Sequence, residues 1–289
     1  MLKTTFLLVI FLILLTGPAE ASTKIEFIEK YDSPISFKVE ALPWDMANQI
    51  VPKGTVFTII DVESGMQFKV QRRAGSQHAD VQPLTKQDTK VMKKIYKGRW
   101  SWKRKAIIVL VNDQMIAASM HGMPHGAGAL TNGFRGHFCI HFLGSTTHRS
   151  RKTDPLHKLM ILKAGGKLDE YIDSLSPAEL IDVFSQSVNM HDKEILKQTV
   201  AFGRNKEKLE KELDEISYLG ITVLQPKKEE DGLILTELPA KVELKQNNKP
   251  KEKKVIRFVI KRDNAADRWF IDGDYLESEL IQSTEKEKK

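Results

Sequence analysis

Along the first half of the chain, apolar and polar positions alternate with a period of two, interrupted by short helical stretches; past residue 170 the spacing turns helical and then reverts. In GTVFTIIDVESGMQFKVQRR, β-rich runs over 55–62 and 66–70 flank Ser64-Gly65 and predict a hairpin. In LTKQDTKVMKKIYKG, Val91, Met92, Ile95 and Tyr96 recur at helical spacing behind the capping residue Thr85, and Gly98 ends the run. KAIIVLVNDQMIAASMHG predicts a second hairpin, two apolar strands joined by Asn112-Asp113, with His121 at the end of the second. The segment 122–136 holds Pro124 and five glycines and reads as a loop, after which HFCIHF resumes as a strand. TDPLHKLMILKAGG predicts a helix capped by Asp154, with Pro155 at its first position and Gly165 closing it. As a whole, residues 24–73 read as short strands.

A new unit starts near residue 170. SPAELIDVFSQSVNMHD carries a capping box, Ser176 with Glu179, and an apolar stripe of Leu180, Val183, Phe184 and Val188. One or two further helices are expected up to Leu219, then strands over 220–225, 233–245, 255–261 and 268–271, with the polar turn KQNNKPKEKK between two of them. The expected fold is therefore a mainly β first part with short helices, followed by an α+β part in which helices lie on a curved antiparallel sheet.

Composition adds where the chain works. With 289 residues, 41% of them hydrophobic, it can bury a sizeable core. Residues 1–21 combine Lys3, an apolar run over 6–15 and a small-x-small site at Ala19 and Ala21, the pattern of a secretory signal peptide cut before Ser22. The apolar run is short for a membrane span, so an uncleaved anchor is the lesser alternative and the only membrane attachment expected. The expected location is secreted, extracytoplasmic and associated with the cell wall. Residues 22–166 carry 22 Lys and Arg against 11 Asp and Glu, while residues 167–289 carry 22 against 26. That imbalance favours two domains, 22–166 and 170–278, with a charged, disordered tail over 279–289. A basic exported domain suits peptidoglycan or another anionic cell-wall polymer, and export argues against nucleic acid as a partner.

The candidate chemistry lies in GHFCIHF. Cys139 is the chain's only cysteine, so it is a buried thiol, an intermolecular bridge or a working group. Five of the eight histidines fall between 121 and 148: His121, His125, His137, His141 and His148. On a strand, His137, Cys139 and His141 share one face, opposite Phe138, Ile140 and Phe142. Two chemistries can use that face. A neighbouring imidazole can act as base for a Cys139 nucleophile, the local positive charge lowering the thiol pKa. Alternatively, imidazoles from His121, His137 and His141, with His78 and Asp80 as remote ligands, can bind Zn²⁺. The first reading needs no cofactor.

This stretch resembles the catalytic domain of bacterial L,D-transpeptidases, which carry a histidine, a spacer, Ser or Thr, and then His-Gly-Cys followed by a hydrophobic residue and Arg. Here 14 residues, 122–135, separate His121 from Gly136-His137-Phe138-Cys139-Ile140-His141. Gly136 stands in place of the Ser/Thr, Phe138 of the glycine and His141 of the Arg. The resemblance covers roughly residues 50–160. It implies a β-sandwich that carries Cys139 as nucleophile and His121 as its base, with His137 shaping the site. His141, Phe138, Gly122 and His125 would contact substrate. The implied reaction is acyl transfer on peptidoglycan stem peptides, as a transpeptidase or an L,D-carboxypeptidase. A zinc-dependent peptidoglycan hydrolase and a non-catalytic wall-binding protein are the alternatives. Residues 175–276 resemble the nuclear transport factor 2-like fold, which implies an accessory binding or packing role. Trp100 and Trp102, interleaved with basic residues, are either a sugar-stacking surface or core.

Overall fold

The period-two segments become strands that close on themselves. In chain order the elements are β1 (Val39–Glu40), α1 (Trp44–Ile50), β2 (Val56–Asp61), β3 (Gln67–Ala74), β4 (Ala79–Pro83), α2 (Lys86–Ile95), β5 (Arg104–Val111), β6 (Gln114–His121), β7 (Phe138–His141), α3 (Pro155–Ala164), α4 (Leu168–Asp173), α5 (Pro177–Met190), α6 (Lys193–Thr199), β8 (Val200–Ala201), α7 (Lys206–Asp214), β9 (Ile216–Val223), β10 (Leu235–Gln246), β11 (Glu252–Lys261), β12 (Phe270–Asp272) and α8 (Gly273–Leu280). The computed structural model describes residues 38–148, 150–224, 232–247 and 249–280, all within the compact unit Ser36–Lys289. The expected leader, the first of the strands expected over 24–73 and the tail from 281 onward lie outside the described residues. No helix among the described residues is long and apolar enough to cross a membrane.

Strands β2 to β7 form a closed, barrel-like antiparallel sheet in the order β2-β3-β4-β7-β6-β5 and back to β2, with β1 added in parallel outside β6. The alternation seen in the sequence decides what lies inside. Phe57, Ile59, Phe68, Val70, Ile107, Val109, Ile116, Met120, Phe138 and Ile140 form one buried cluster. Both predicted hairpins are present. Asn112 and Asp113 turn the second with φ of 48° and 58°, the left-handed pair that a two-residue hairpin loop requires. Thr85 caps α2 in a capping box with Asp88.

On the outer face of β5 and β6 sits α3, capped as expected by Asp154 with Pro155 at its first turn. LHKLMILKA is apolar on nearly every side because the helix is covered on both. Leu159, Met160 and Ile161 belong to a second cluster that starts at Ala106 and Ala117 on the barrel and continues through Leu180 and Phe184 of α5 to Phe258 and Ile260 of β11. The second sheet runs β8-β12-β11-β10-β9, antiparallel except for β8 with β12. The fold is thus mixed, with strands leading in the first half and helices on a sheet in the second.

Three local expectations are corrected. Residues 44–50 are helical, because Ala47 and Val51 turn one face onto the barrel core. Residues 216–219 belong to strand β9, paired with β10, although they follow directly on α7. The disordered tail expected from 279 does not begin there: after β12 the chain is helical to Leu280, and Leu276 and Leu280 of α8 join the second cluster.

Candidate active site

Three strands build the site on the outside of the barrel. On β4 and β7, Asp80 and Cys139 are register partners; on β6 and β7, Ser119 and His141 are. Since Phe138 and Ile140 point into the barrel, the side chains between them must point out. The glycine-rich loop then folds back over this face. His125 and His137 exchange both backbone hydrogen bonds, at 3.0 and 2.8 Å, so that their rings lie 4.4 Å apart. This close approach needs glycine: a Cβ on Gly126, whose φ is 59°, would lie 2.4 Å from the His137 ring, and one on Gly136, whose φ is 79°, would lie 2.2 Å from the His125 carbonyl oxygen. Gln82 pins the loop, donating from Nε2 to the Gly136 carbonyl at 2.8 Å and accepting at Oε1 from the N–H groups of Ala129 and Leu130 at 2.9 and 3.2 Å.

Cys139 Sγ lies 3.3 Å from His125 Nε2, 3.6 Å from His148 Nε2 and 3.6 Å from Asp80 Oδ1. Three of the imidazoles are anchored from behind: Nδ1 of His125 faces the Met123 carbonyl at 3.0 Å, Nδ1 of His137 the Ala127 carbonyl at 3.0 Å and Nδ1 of His78 the Thr146 carbonyl at 2.7 Å. A carbonyl only accepts, so each of these Nδ1 atoms carries the proton; in the neutral rings of His125 and His137, Nε2 then presents a lone pair to the centre, whereas His78 bonds the Asp80 carboxylate through Nε2 only when that nitrogen too is protonated. His78 Nε2 is 2.8 Å from His148 Nε2, and Asp80 Oδ1 is 3.2 Å from both and 3.7 Å from His137 Nε2. Two overlapping groups, His125-His137-Cys139-His148 and His78-Asp80-Cys139-His148, have their ligand atoms within 4.8 Å of one another, and either can hold a metal ion.

The local electrostatics follow from burial and the one carboxylate. For Asp80, burial works against ionisation, but the hydrogen bond with His78 and the charges of His137, His78 and His148 outweigh it and hold the pKa at about 2. Burial pushes the Cys139 thiol well above its ordinary value, and the charge and hydrogen bond of Asp80 push in the same direction. The sequence expectation of a lowered thiol pKa is therefore corrected: the one anion beside the sulfur opposes the thiolate. His125 is lowered by burial, partly offset by its bond to Met123.

The sequence candidates divide. His78, Asp80, His125, His137 and Cys139 converge. His121 does not join them: among the described residues no hydrogen bond links it to Cys139, and the imidazoles that meet the sulfur are those of His125, four residues further along, and His148. His121 is buried under the site, its pKa lowered to about 3 by burial and by His125, and it packs against Trp102 and His125 at 4.6 and 5.2 Å. His141 is only 3% exposed, stacked between His157 at 3.8 Å and His78 at 4.7 Å, so it is not placed to touch substrate. Burial, then His78, lowers its pKa to about 2. Phe138 is fully buried in the barrel core and faces away from the sulfur. Gly122 lies against the ring of Tyr96, where a Cβ would approach to 2.5 Å, and contributes packing.

The structure adds His148, Gln82 and His157 to the site residues that the sequence pattern offers. For His148 the signal was its membership of the histidine cluster; for Gln82, which works through backbone groups 47 to 54 residues away, there was none. Of the two tryptophans, Trp102 is 49% exposed beside His121 and His125 at the edge of the site, while Trp100 packs on Phe134. A cavity of about 710 Å³ opens beside His78, Asp80 and His148, with Lys53 and Arg151 on its rim. In the second half, His191 closes α5 with a φ of 50° and Asp192 caps α6, which accounts for both as helix-end residues. No protein-family model matches the chain, and a comparison with curated proteins finds none that matches it.

Proposed function

We propose that the chain is an exported cell-wall enzyme of the L,D-transpeptidase type, with Cys139 as nucleophile and His125, rather than His121, as its base. The observation that carries this reading is the 3.3 Å contact between Cys139 Sγ and His125 Nε2, with His125 Nδ1 held by the Met123 carbonyl. Nucleophile, base and an orienting third group are the parts that cysteine acyl transfer needs. Because the thiol is protonated at rest, the proton moves during attack. His125 Nε2 takes it as sulfur bonds to the carbonyl carbon of a stem-peptide residue, and the departing amine then receives it as the C–N bond breaks, leaving a thioester on Cys139. A second amine, or water, cleaves the thioester by the reverse sequence. The expected leader, the basic first half and the exposed Trp102 favour a wall substrate, and Lys53 and Arg151 at the cavity rim suit a carboxylate-bearing peptide. The helix-covered second sheet would be the accessory part.

The test is mass spectrometry of the metal-free protein after exposure to a carbapenem. One adduct per chain, lost in Cys139→Ala, is the expected result; an unmodified Cys139 in folded protein would sink the reading.

A further inference from the structure

The acyl-transfer dyad leaves most of the cluster unexplained. A nucleophile and its base do not require His137, His148, His78 and Asp80 gathered around the same sulfur. His137 Nε2 is also a buried nitrogen with no hydrogen-bond partner among the described residues, 3.7 Å from Asp80 Oδ1, an arrangement that costs free energy unless something accepts its lone pair.

We infer that Cys139 Sγ and the Nε2 atoms of His125, His137 and His148 form a binding site for one divalent transition-metal ion of the zinc class, which caps the nucleophile and holds acyl transfer off until the ion is withdrawn. The geometry has the right scale. Tetrahedral zinc with Zn–S of about 2.3 Å and Zn–N of about 2.05 Å places a sulfur and a nitrogen ligand about 3.5 Å apart. The observed separations from Sγ are 3.3 Å to His125 and 3.6 Å to His148. The donor set, one thiolate and three imidazoles, suits zinc and its neighbours and not calcium or magnesium, which take oxygen. The backing is right as well. His125 and His137 are each fixed through Nδ1 by a backbone carbonyl, the arrangement that orients metal-bound histidines. Asp80 and His78, 3.2 Å apart, stand beside the ligands, with Asp80 Oδ1 3.6 Å from Sγ and 3.2 Å from His148 Nε2, and Asp80 supplies a negative charge that offsets the ion. Binding forms the metal–sulfur bond and releases the thiol proton to solvent.

This set differs from the one the sequence pattern offered. His125 and His148 replace His121 and His141, which lie in the layer beneath, and His78 and Asp80 become neighbours of the ligands rather than ligands. The metal site stands independently of the acyl-transfer reading; only its role as a cap rests on that reading.

The experiment titrates metal-free full-length protein with Zn²⁺ against a chromophoric chelator, and follows iodoacetamide modification of Cys139 with and without the ion. One ion per chain is expected, with alkylation slowed at least about tenfold and restored by EDTA. Co²⁺ in place of Zn²⁺ is expected to give a thiolate-to-cobalt charge-transfer band. His137→Gln is expected to weaken zinc binding by about tenfold or more, and His191→Gln, at a remote helix end, to leave it unchanged. No binding, two ions per chain, or a bound ion that leaves Cys139 as reactive as before would each overturn the inference. The two readings fail separately. Zinc binding without a carbapenem adduct on the chelated protein removes the enzyme and keeps the metal site, and an adduct without zinc binding does the reverse.

Discussion

Asp80 and Cys139 face each other across β4 and β7 as register partners, and the thiol points at the carboxylate with Sγ 3.6 Å from Oδ1. An ionised carboxylate at that distance disfavours a second negative charge on the sulfur. In metal-free protein, Asp80→Asn is therefore expected to speed alkylation of Cys139 at pH 8. Burial is the larger cause of the raised thiol pKa and remains in the variant, so the rate stays below that of a free thiol. An unchanged or slower rate would show that Asp80 does not control the sulfur.

The choice between His125 and His121 is settled by two substitutions. With His125 as the base, His125→Ala loses about a hundredfold or more in the rate of carbapenem acylation, because its Nε2 is the imidazole nitrogen nearest Sγ, at 3.3 Å against 3.6 Å for His148. His121→Ala acts through packing under Trp102 and costs less. Acylation rates of the two variants, each checked for folding by circular dichroism, decide the matter; a larger loss in His121→Ala would return the base to His121.

Gln82→Ala removes the three hydrogen bonds that tie the glycine-rich loop to β4. The expected cost is about 1–3 kcal/mol in denaturant unfolding, with faster amide exchange at Ala129 and Leu130. Intact exchange protection at those two amides would mean that the loop is held by something else.

His157 makes the site's underlayer sensitive to acid. It is 3% exposed, with Nδ1 2.9 Å from Ser119 Oγ. Burial first, then the charges of His141, Arg104 and His121, push its pKa well below the usual histidine value. The folded pKa lies below the unfolded one, so below about pH 6.5 the unfolded chain binds a proton that the native chain excludes. Stability is therefore full above that pH and falls as the pH drops. The denaturation midpoint, measured with chelator present, should decline from pH 7 to pH 5. The decline should be shallower in His157→Gln, and not abolished, because His121 and His141 are shifted in the same direction. Equal slopes in the two proteins would count against the assignment.

The sequence by itself determined the local geometry. Thr85, Asp154 and Ser176 announced their helices because a cap is a contact between residues two or three apart, and the Asn112-Asp113 turn announced its hairpin for the same reason. Strand alternation separated Cys139 from Phe138 and Ile140, which was enough to place the thiol outside the barrel core. The run Leu156 to Ala164 was legible as a capped helix, but that it is covered on both sides, by the barrel and by the second half of the fold, comes from the tertiary packing. Only the tertiary structure decided which histidines meet the sulfur. His121 and His125 are both within reach of Cys139 by chain spacing. What distinguishes them is the backbone pairing of His125 with His137 across a loop that Gly126 and Gly136 allow and Gln82 holds down. His78 and His148 arrive from separate loops, and their meeting depends on β4 lying beside β7, a pairing between segments about 60 residues apart that no local pattern encodes. The thiol pKa escapes the sequence for a related reason: along the chain the neighbours of Cys139 are imidazoles, whereas across the sheet its partner is a carboxylate.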